Sequence, residues 1–137
     1  MTSSALIGNK DLQAKYADKT PPILTFSIPG NDSSLKVDNP IILNFNEPIK
    51  AGNGRIIISS EHDTRRISIT DTSQVTIIND TFGQASSVHI TPSVDLKPNT
   101  HYSIEIETGT IKDRAGNTFV GLSNGDSINF TSIVSNP

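Results

Sequence analysis

The chain has no cysteine and no tryptophan among its 137 residues, and a single methionine, Met1. Without cysteine there can be no disulfide, no thiolate zinc site and no cysteine nucleophile. That absence says little about compartment, because a chain long enough to bury a sizeable core needs no covalent staple. Aromatic residues make up 5% of the sequence. No apolar run approaches the ~20 residues of a membrane-spanning helix, so direct membrane insertion is not expected. Neither sign of charge dominates: 11 Lys and Arg stand against 14 Asp and Glu, a net charge of −3 scattered along the chain. This excludes the basic stripe of a nucleic-acid binder. Heptads, collagen-like periods and internal repeats are also missing. The start, Met1-Thr-Ser-Ser-Ala-Leu-Ile-Gly-Asn-Lys10, lacks a basic n-region and does not read as a secretion signal. A chain working outside the cell would then be part of something longer, or be exported by a signal elsewhere.

What remains is Ser, Thr, Asn and Asp around short apolar runs with a period of two. Residues 1–20 read as a leader or linker, in which Leu12 and Tyr16 could line one face of a marginal helix. Thr20-Pro21-Pro22 resets the backbone to an extended conformation, as a module boundary would. From there Leu24, Phe26 and Ile28 share one face. Ile41, Leu43 and Phe45 follow, then Ile56 and Ile58, Ile67 and Ile69, Val75 and Ile77, Val88 and Ile90. Tyr102, Ile104 and Ile106 come next, and Ile128 and Phe130 last. Eight alternating runs divided by turn signals predict an all-β antiparallel sandwich of seven to eight strands with Greek-key connections, over residues 21–133. Residues 134–137 read as a C-terminal linker. Between residues 55 and 95 there is one run more than the simplest seven-strand pattern holds. Ile67–Ile69 or Val75–Ile77 would be an added edge strand, or both would belong to one bent strand.

In Leu96-Lys-Pro-Asn-Thr-His-Tyr102 a tyrosine opens an alternating strand just after a Pro/Asn turn. That is the position of the tyrosine corner of an Ig-type sandwich, whose hydroxyl bonds back to the connecting loop. Asp113-Arg-Ala-Gly-Asn117 reads as a tight turn between the last two strands. These pieces join Thr20-Pro-Pro22, Ile42-Leu-Asn-Phe-Asn-Glu-Pro-Ile49, Ile67-Ser-Ile-Thr-Asp-Thr-Ser-Gln-Val-Thr-Ile77, Val88-His-Ile-Thr-Pro92 and Ile128-Asn-Phe-Thr131. In that order they resemble the bacterial Ig-like domain of surface-layer proteins and of large haemolysin-type (RTX) adhesins. The family commonly has Ser or Asp where Asn46 stands, and the leader before Thr20 matches nothing in it. The resemblance implies a spacer or adhesive module in a tandem array, with no catalytic residues to carry over. Tyr102, Phe45, Phe130 and Asn117 are the expected structural residues.

Three carboxylates deserve weighing. If the loops after the second strand and before the last one lie at the N-terminal pole, Asp18, Glu47 and Asp113 come together there, as a hard cation such as Ca²⁺ requires. The simpler reading is that Glu47 and Asp113 hydrogen-bond turn backbone, because no dense Asp-x-Asp-x-Asp-Gly loop is present. His62, His89 and His101 lack metal-ligand spacing and read as surface residues. No Gly-x-Ser-x-Gly elbow occurs and no nucleophile, base and orienting group converge, so the chain does not read as an enzyme. Gly52-Asn-Gly54 lacks the Gly-Lys-Ser/Thr ending of a phosphate loop and reads as a turn. Asn31, Asn79 and Asn129 open Asn-x-Ser/Thr triplets that chance explains in so Asn- and Ser-rich a chain. Arg65-Arg66, beside Lys50 and Arg55, reads as protection of a strand edge. With Phe26, Phe45 and Phe130 turned inward, only Tyr16, Phe82 and Phe119 remain as platforms for a sugar.

The expected function is therefore a non-catalytic extracellular or cell-surface module that spaces or presents parts of a large bacterial surface protein. Calcium is its one possible cofactor. Its partners would be neighbouring modules of the same polypeptide, with a surface glycan or protein ligand possible, and the isolated domain would be monomeric. The alternatives are a glycan- or peptide-binding module, for which an exposed aromatic patch or a free flat edge strand would speak, and an accessory domain of a secreted hydrolase.

Overall fold

The computed structural model describes residues 19–79 and 85–135, which hold eleven strands and one short 3-10 helix, Asn124–Asp126. The strands are β1 (Leu24–Ile28), β2 (Ser33–Lys36), β3 (Ile41–Phe45), β4 (Ile49–Ala51), β5 (Arg55–Ser59) and β6 (Thr64–Ser68). Then come β7 (Val75–Asn79), β8 (Ser86–Ile90), β9 (His101–Ile106), β10 (Ile111–Asp113) and β11 (Ile128–Ile133). They form a four-stranded sheet in the order β1-β3-β8-β7 and a five-stranded sheet in the order β2-β11-β9-β5-β6. A small sheet of β4 and β10 accompanies them. The first order corresponds to the ABED sheet of an Ig-like sandwich, and β11-β9-β5 to its GFC sheet. The chain changes sheet repeatedly, at 29–32, 37–40, 69–74 and 91–100 among other places, so both sheets are built from interleaved segments.

The expected alternation builds the core. Ile41, Leu43 and Phe45 on β3 are buried, as are Val88 and Ile90 on β8, Ile56 and Ile58 on β5, and Tyr102, Ile104 and Ile106 on β9. The Tyr102 and Phe130 rings stack with centroids 5.7 Å apart, and Phe45 meets Phe119 edge-on at 5.2 Å.

The stretch between residues 55 and 95 resolves into two separate edge strands on opposite sheets: β6 flanks the five-stranded sheet and β7 the four-stranded one. Between them Asp71 organises the crossing. Its carboxylate accepts bonds from the Ser73 amide and hydroxyl and from the Gln74 side chain, and these hold its pKa below the usual carboxylate value. The strands beyond the expected eight are the short β2, β4 and β10. Each forms where a connecting segment finds a partner: β2 runs parallel to β11, and β4 antiparallel to β10.

Two aromatic side chains exchange places relative to expectation. Phe26 was expected inside, yet it is 57% exposed, and Ile28 is exposed as well. The cause is a register shift on β1. Leu24 pairs with Phe45, but Phe26 pairs with Asn44, so one extra residue on β1 turns everything after it to the outer face. Phe119, expected as a surface platform, is buried against Phe45 instead.

The pairing also separates the two ends. Leu24 lies beside Phe45, whereas Thr131 lies beside His101, at the opposite pole of the sandwich. The chain comes in at one end and leaves at the other.

Candidate functional site

The side chains with chemistry gather at the two poles. At the C-terminal pole, Tyr102 is fully buried. Its hydroxyl accepts a bond from the Lys97 amide at 2.9 Å and donates one to Asp63 Oδ2 at 2.5 Å. The first of these is the return bond of a tyrosine corner. The second draws in a residue from the β5–β6 hairpin. Asp63 in turn holds Arg65 through Nε at 2.8 Å and Nη2 at 3.0 Å, and both side chains are largely shielded from solvent. The same guanidinium donates to the carbonyls of Val94, at 2.6 Å, and Asp95, at 3.0 Å. Arg65 thus ties the hairpin to the 91–100 crossing; it is no edge guard, and of the two arginines only Arg66 stands exposed.

Charge and burial set the titration here. The Arg65 guanidinium holds the Asp63 carboxyl below its ordinary range, with a smaller contribution from the Tyr102 hydroxyl. Burial, reinforced by the neighbouring carboxylate, pushes the Tyr102 hydroxyl up. Ser132, buried on β11, completes the corner: it donates to the Lys97 carbonyl and accepts from the Thr100 amide. Beyond the corner lies a shallow cleft lined by Ser60, Glu61, His62, Lys97, Asn99, Thr100 and His101.

At the N-terminal pole the loops after β3 and β9 do lie together, joined through β4 and β10, where Asp113 pairs with Ile49. Asp113 is fully buried. Its Oδ1 accepts from the Asn117 amide at 2.8 Å and its Oδ2 from the Asn117 side chain at 2.9 Å. Glu47 sits two residues before Ile49 in the adjoining loop, and Asp18 lies outside the described residues. Among the described residues no three His, Cys, Asp or Glu form a group that could hold a metal. Close backbone approach packs this pole. A Cβ on Gly52 would lie 2.2 Å from the Gly109 carbonyl, and one on Gly121, whose φ is +94°, 2.4 Å from that of Ile106. Next to Gly121 an apolar groove of about 470 Å³ runs between Thr20–Leu24 and Phe119–Leu122.

Phe45 and Phe130 are core residues, and of the histidines His62 and His101 are exposed while His89 is half-buried beside Ser87. Sequence reasoning missed Asp63, Arg65 and Ser132. Asp63 and Arg65 lie two apart on a hairpin, and nothing local ties them to a tyrosine 39 positions away.

The profile of the bacterial Ig-like domain family matches residues 18–132. No curated protein matches the chain. Among solved structures, the fold is similar to that of PcoC, a methionine-rich copper resistance protein from Escherichia coli. The TM-score is 0.51 at 17% identity, over 82% of this chain and 99% of that one, a likeness of fold alone. With the family match extending over most of its length, the chain belongs to the bacterial Ig-like domain family.

Proposed function

We propose that the chain is a non-catalytic, load-bearing module that spaces or presents parts of a large secreted or surface-attached bacterial protein of the surface-layer or RTX-adhesin kind. The observation that carries this reading is the parallel pairing of β2 with β11, the last strand, in a sandwich whose ends leave from opposite poles. Tension applied at the two ends pulls these neighbours along their length. Their hydrogen bonds are then loaded together in shear, with no path for opening one at a time.

The test is to stretch the chain by its two ends. The expected trace has one resisting step, at a force lowered by Val37→Pro, which deletes the 2.9 Å bond from the Val37 amide to the Ile133 carbonyl. A chain that yields gradually would count against a load-bearing role.

Calcium at the N-terminal pole is a separate proposal. Such an ion would have to share Asp113 oxygens already bonded to Asn117, and it would need ligands besides Glu47. Melts in chelator and in calcium decide it, since an ion bound by the folded state raises the melting temperature. Copper binding of the PcoC kind has no support here, because a chain whose single methionine is Met1 has no methionine-rich site.

One observation favours a second reading, peptide binding by strand addition. Phe26 and Ile28 lie exposed on β1, an uncharged strand at the edge of its sheet. Protection of β1 amides by an added peptide would favour it over the spacer.

A further inference from the structure

The two sheets differ in charge. The strands of the five-stranded sheet carry Lys36, Arg55, Arg65, Arg66 and Glu105. Those of the four-stranded sheet hold no Asp, Glu, Lys or Arg, and His89 is their one titratable residue. Strand pairing sets two rows across the outer face of this uncharged sheet. Phe26, Asn44, Ser87 and Ile78 form one, and Ile28, Ile42, His89 and Thr76 the next. Phe26 is 57% exposed, Ile78 48% and Ile28 47%. Large apolar side chains on a face without charge mark a contact surface.

We infer that this face packs against the same face of a second copy, across a two-fold axis parallel to the strands. Two observations select that occupant. First, an isologous contact needs a self-complementary patch, and on this face no residue of one copy sets a like charge against the other. Second, the row through Phe26 holds a knob and a hole. Phe26 projects from β1 at one edge of the sheet. Toward the other edge lies a shallow hollow of about 290 Å³, lined by Asn44, Ile78, Ala85, Ser86 and Ser87. That is more than the ~150 Å³ that admits a benzene ring. The two-fold axis lays β1 of each copy over β7 of the other, so each Phe26 enters the opposite hollow beside Ile78. The face is small: strands ~4.8 Å apart, with residues rising ~3.4 Å each, give about 300 Å² per copy. A standard interface takes about 800 Å² per partner, so the association is weak and the monomer expected from the sequence is its dilute state. The inference does not rest on the spacer reading. Peptide addition at the β1 edge is a separate event, because it needs an added strand and not a higher concentration of the chain.

The experiment is analytical ultracentrifugation of the full chain, from about 10 µM to about 1 mM. It compares the parent with Phe26→Glu, Ile78→Lys, an equimolar mixture of those two, and Val120→Glu. All three sites are exposed, so the substitutions spare the fold, and Val120, 70% exposed, lies off the sheet. The parent should approach the mass of two chains toward the top of the range. Phe26→Glu and Ile78→Lys should each raise the concentration for half-association at least about tenfold. Val120→Glu should leave it unchanged. The mixture should associate more tightly than either variant alone, because the two substituted side chains then face each other with opposite charge. A parent that stays monomeric throughout, or a mixture no tighter than its components, would overturn the inference. A loss with Val120→Glu equal to that with Phe26→Glu would overturn it in favour of a contact through the N-terminal-pole groove. A mass that grows past two chains would overturn the two-fold contact as well.

Discussion

Each pole of the sandwich is organised by an aspartate, and the two are held in opposite ways. Asp113 accepts two bonds from Asn117, four residues on, so these bonds of its turn are local. Asp63 is bonded by Arg65 and by Tyr102, and Arg65 reaches on to Val94 and Asp95, so that pole is knit from three distant segments. The N-terminal pole instead gains cohesion from packing: Phe45 against Phe119, and the close backbone approaches at Gly52 and Gly121. A clamp with members 39 residues apart forms only when β9 has paired with the β5–β6 hairpin.

The largest effect should come from the packed pole. Phe45→Ala should cost about 3–5 kcal/mol in urea melts, because it removes a buried ring and its edge-on partner contact. A small cost would mean that Phe119 closes the space. Arg65→Ala should come next at about 2–3 kcal/mol, since it leaves a shielded Asp63 carboxylate without its cation and two carbonyls without a donor. Tyr102→Phe should cost about 1–2 kcal/mol, because the Lys97 amide then loses its acceptor. Asp113→Asn should cost only about 1 kcal/mol: the new amide still accepts at one atom, and Asn117 can turn its own amide over to suit it. If Asp113→Asn matched Arg65→Ala, the contrast between poles would collapse. Arg55→Ala should change nothing measurable, since its pair with Glu107 is half-exposed.

Acid sharpens the same contrast. Arg65 holds the Asp63 carboxyl below its unfolded value, so the unfolded chain takes up that proton first as pH falls. The clamp's contribution is complete above about pH 4 and is lost as pH drops through the depressed folded value. Arg65→Ala should flatten this part of the stability profile, measured by urea melts between pH 2 and 6.

Much of this architecture was legible because it is written locally. Tyr102 after a Pro-Asn turn, and Asp113 before Gly116-Asn117, each carry their geometry within a few residues. The alternation of β3, β5, β8 and β9 likewise names its own buried face. What escaped depends on partners. The outward turn of Phe26 hinges on one extra residue in β1 against β3, a property of the pairing that neither strand displays alone. Whether Ile67–Ile69 and Val75–Ile77 shared a strand was settled by the turn at Asp71, which sends them to opposite sheets. Arg65 looked like one of a basic pair because its role is defined by Asp63 and by carbonyls 29 and 30 residues away.

The central claim is that Asp63 and Tyr102 act as one unit across the C-terminal pole. A double-mutant cycle measures it directly: urea melts of the parent chain, Asp63→Ala, Tyr102→Phe and the double variant at pH 7. The account predicts that the double variant costs at least about 1 kcal/mol less than the sum of the singles. Costs that add within error would mean that the two groups are neighbours without being a clamp.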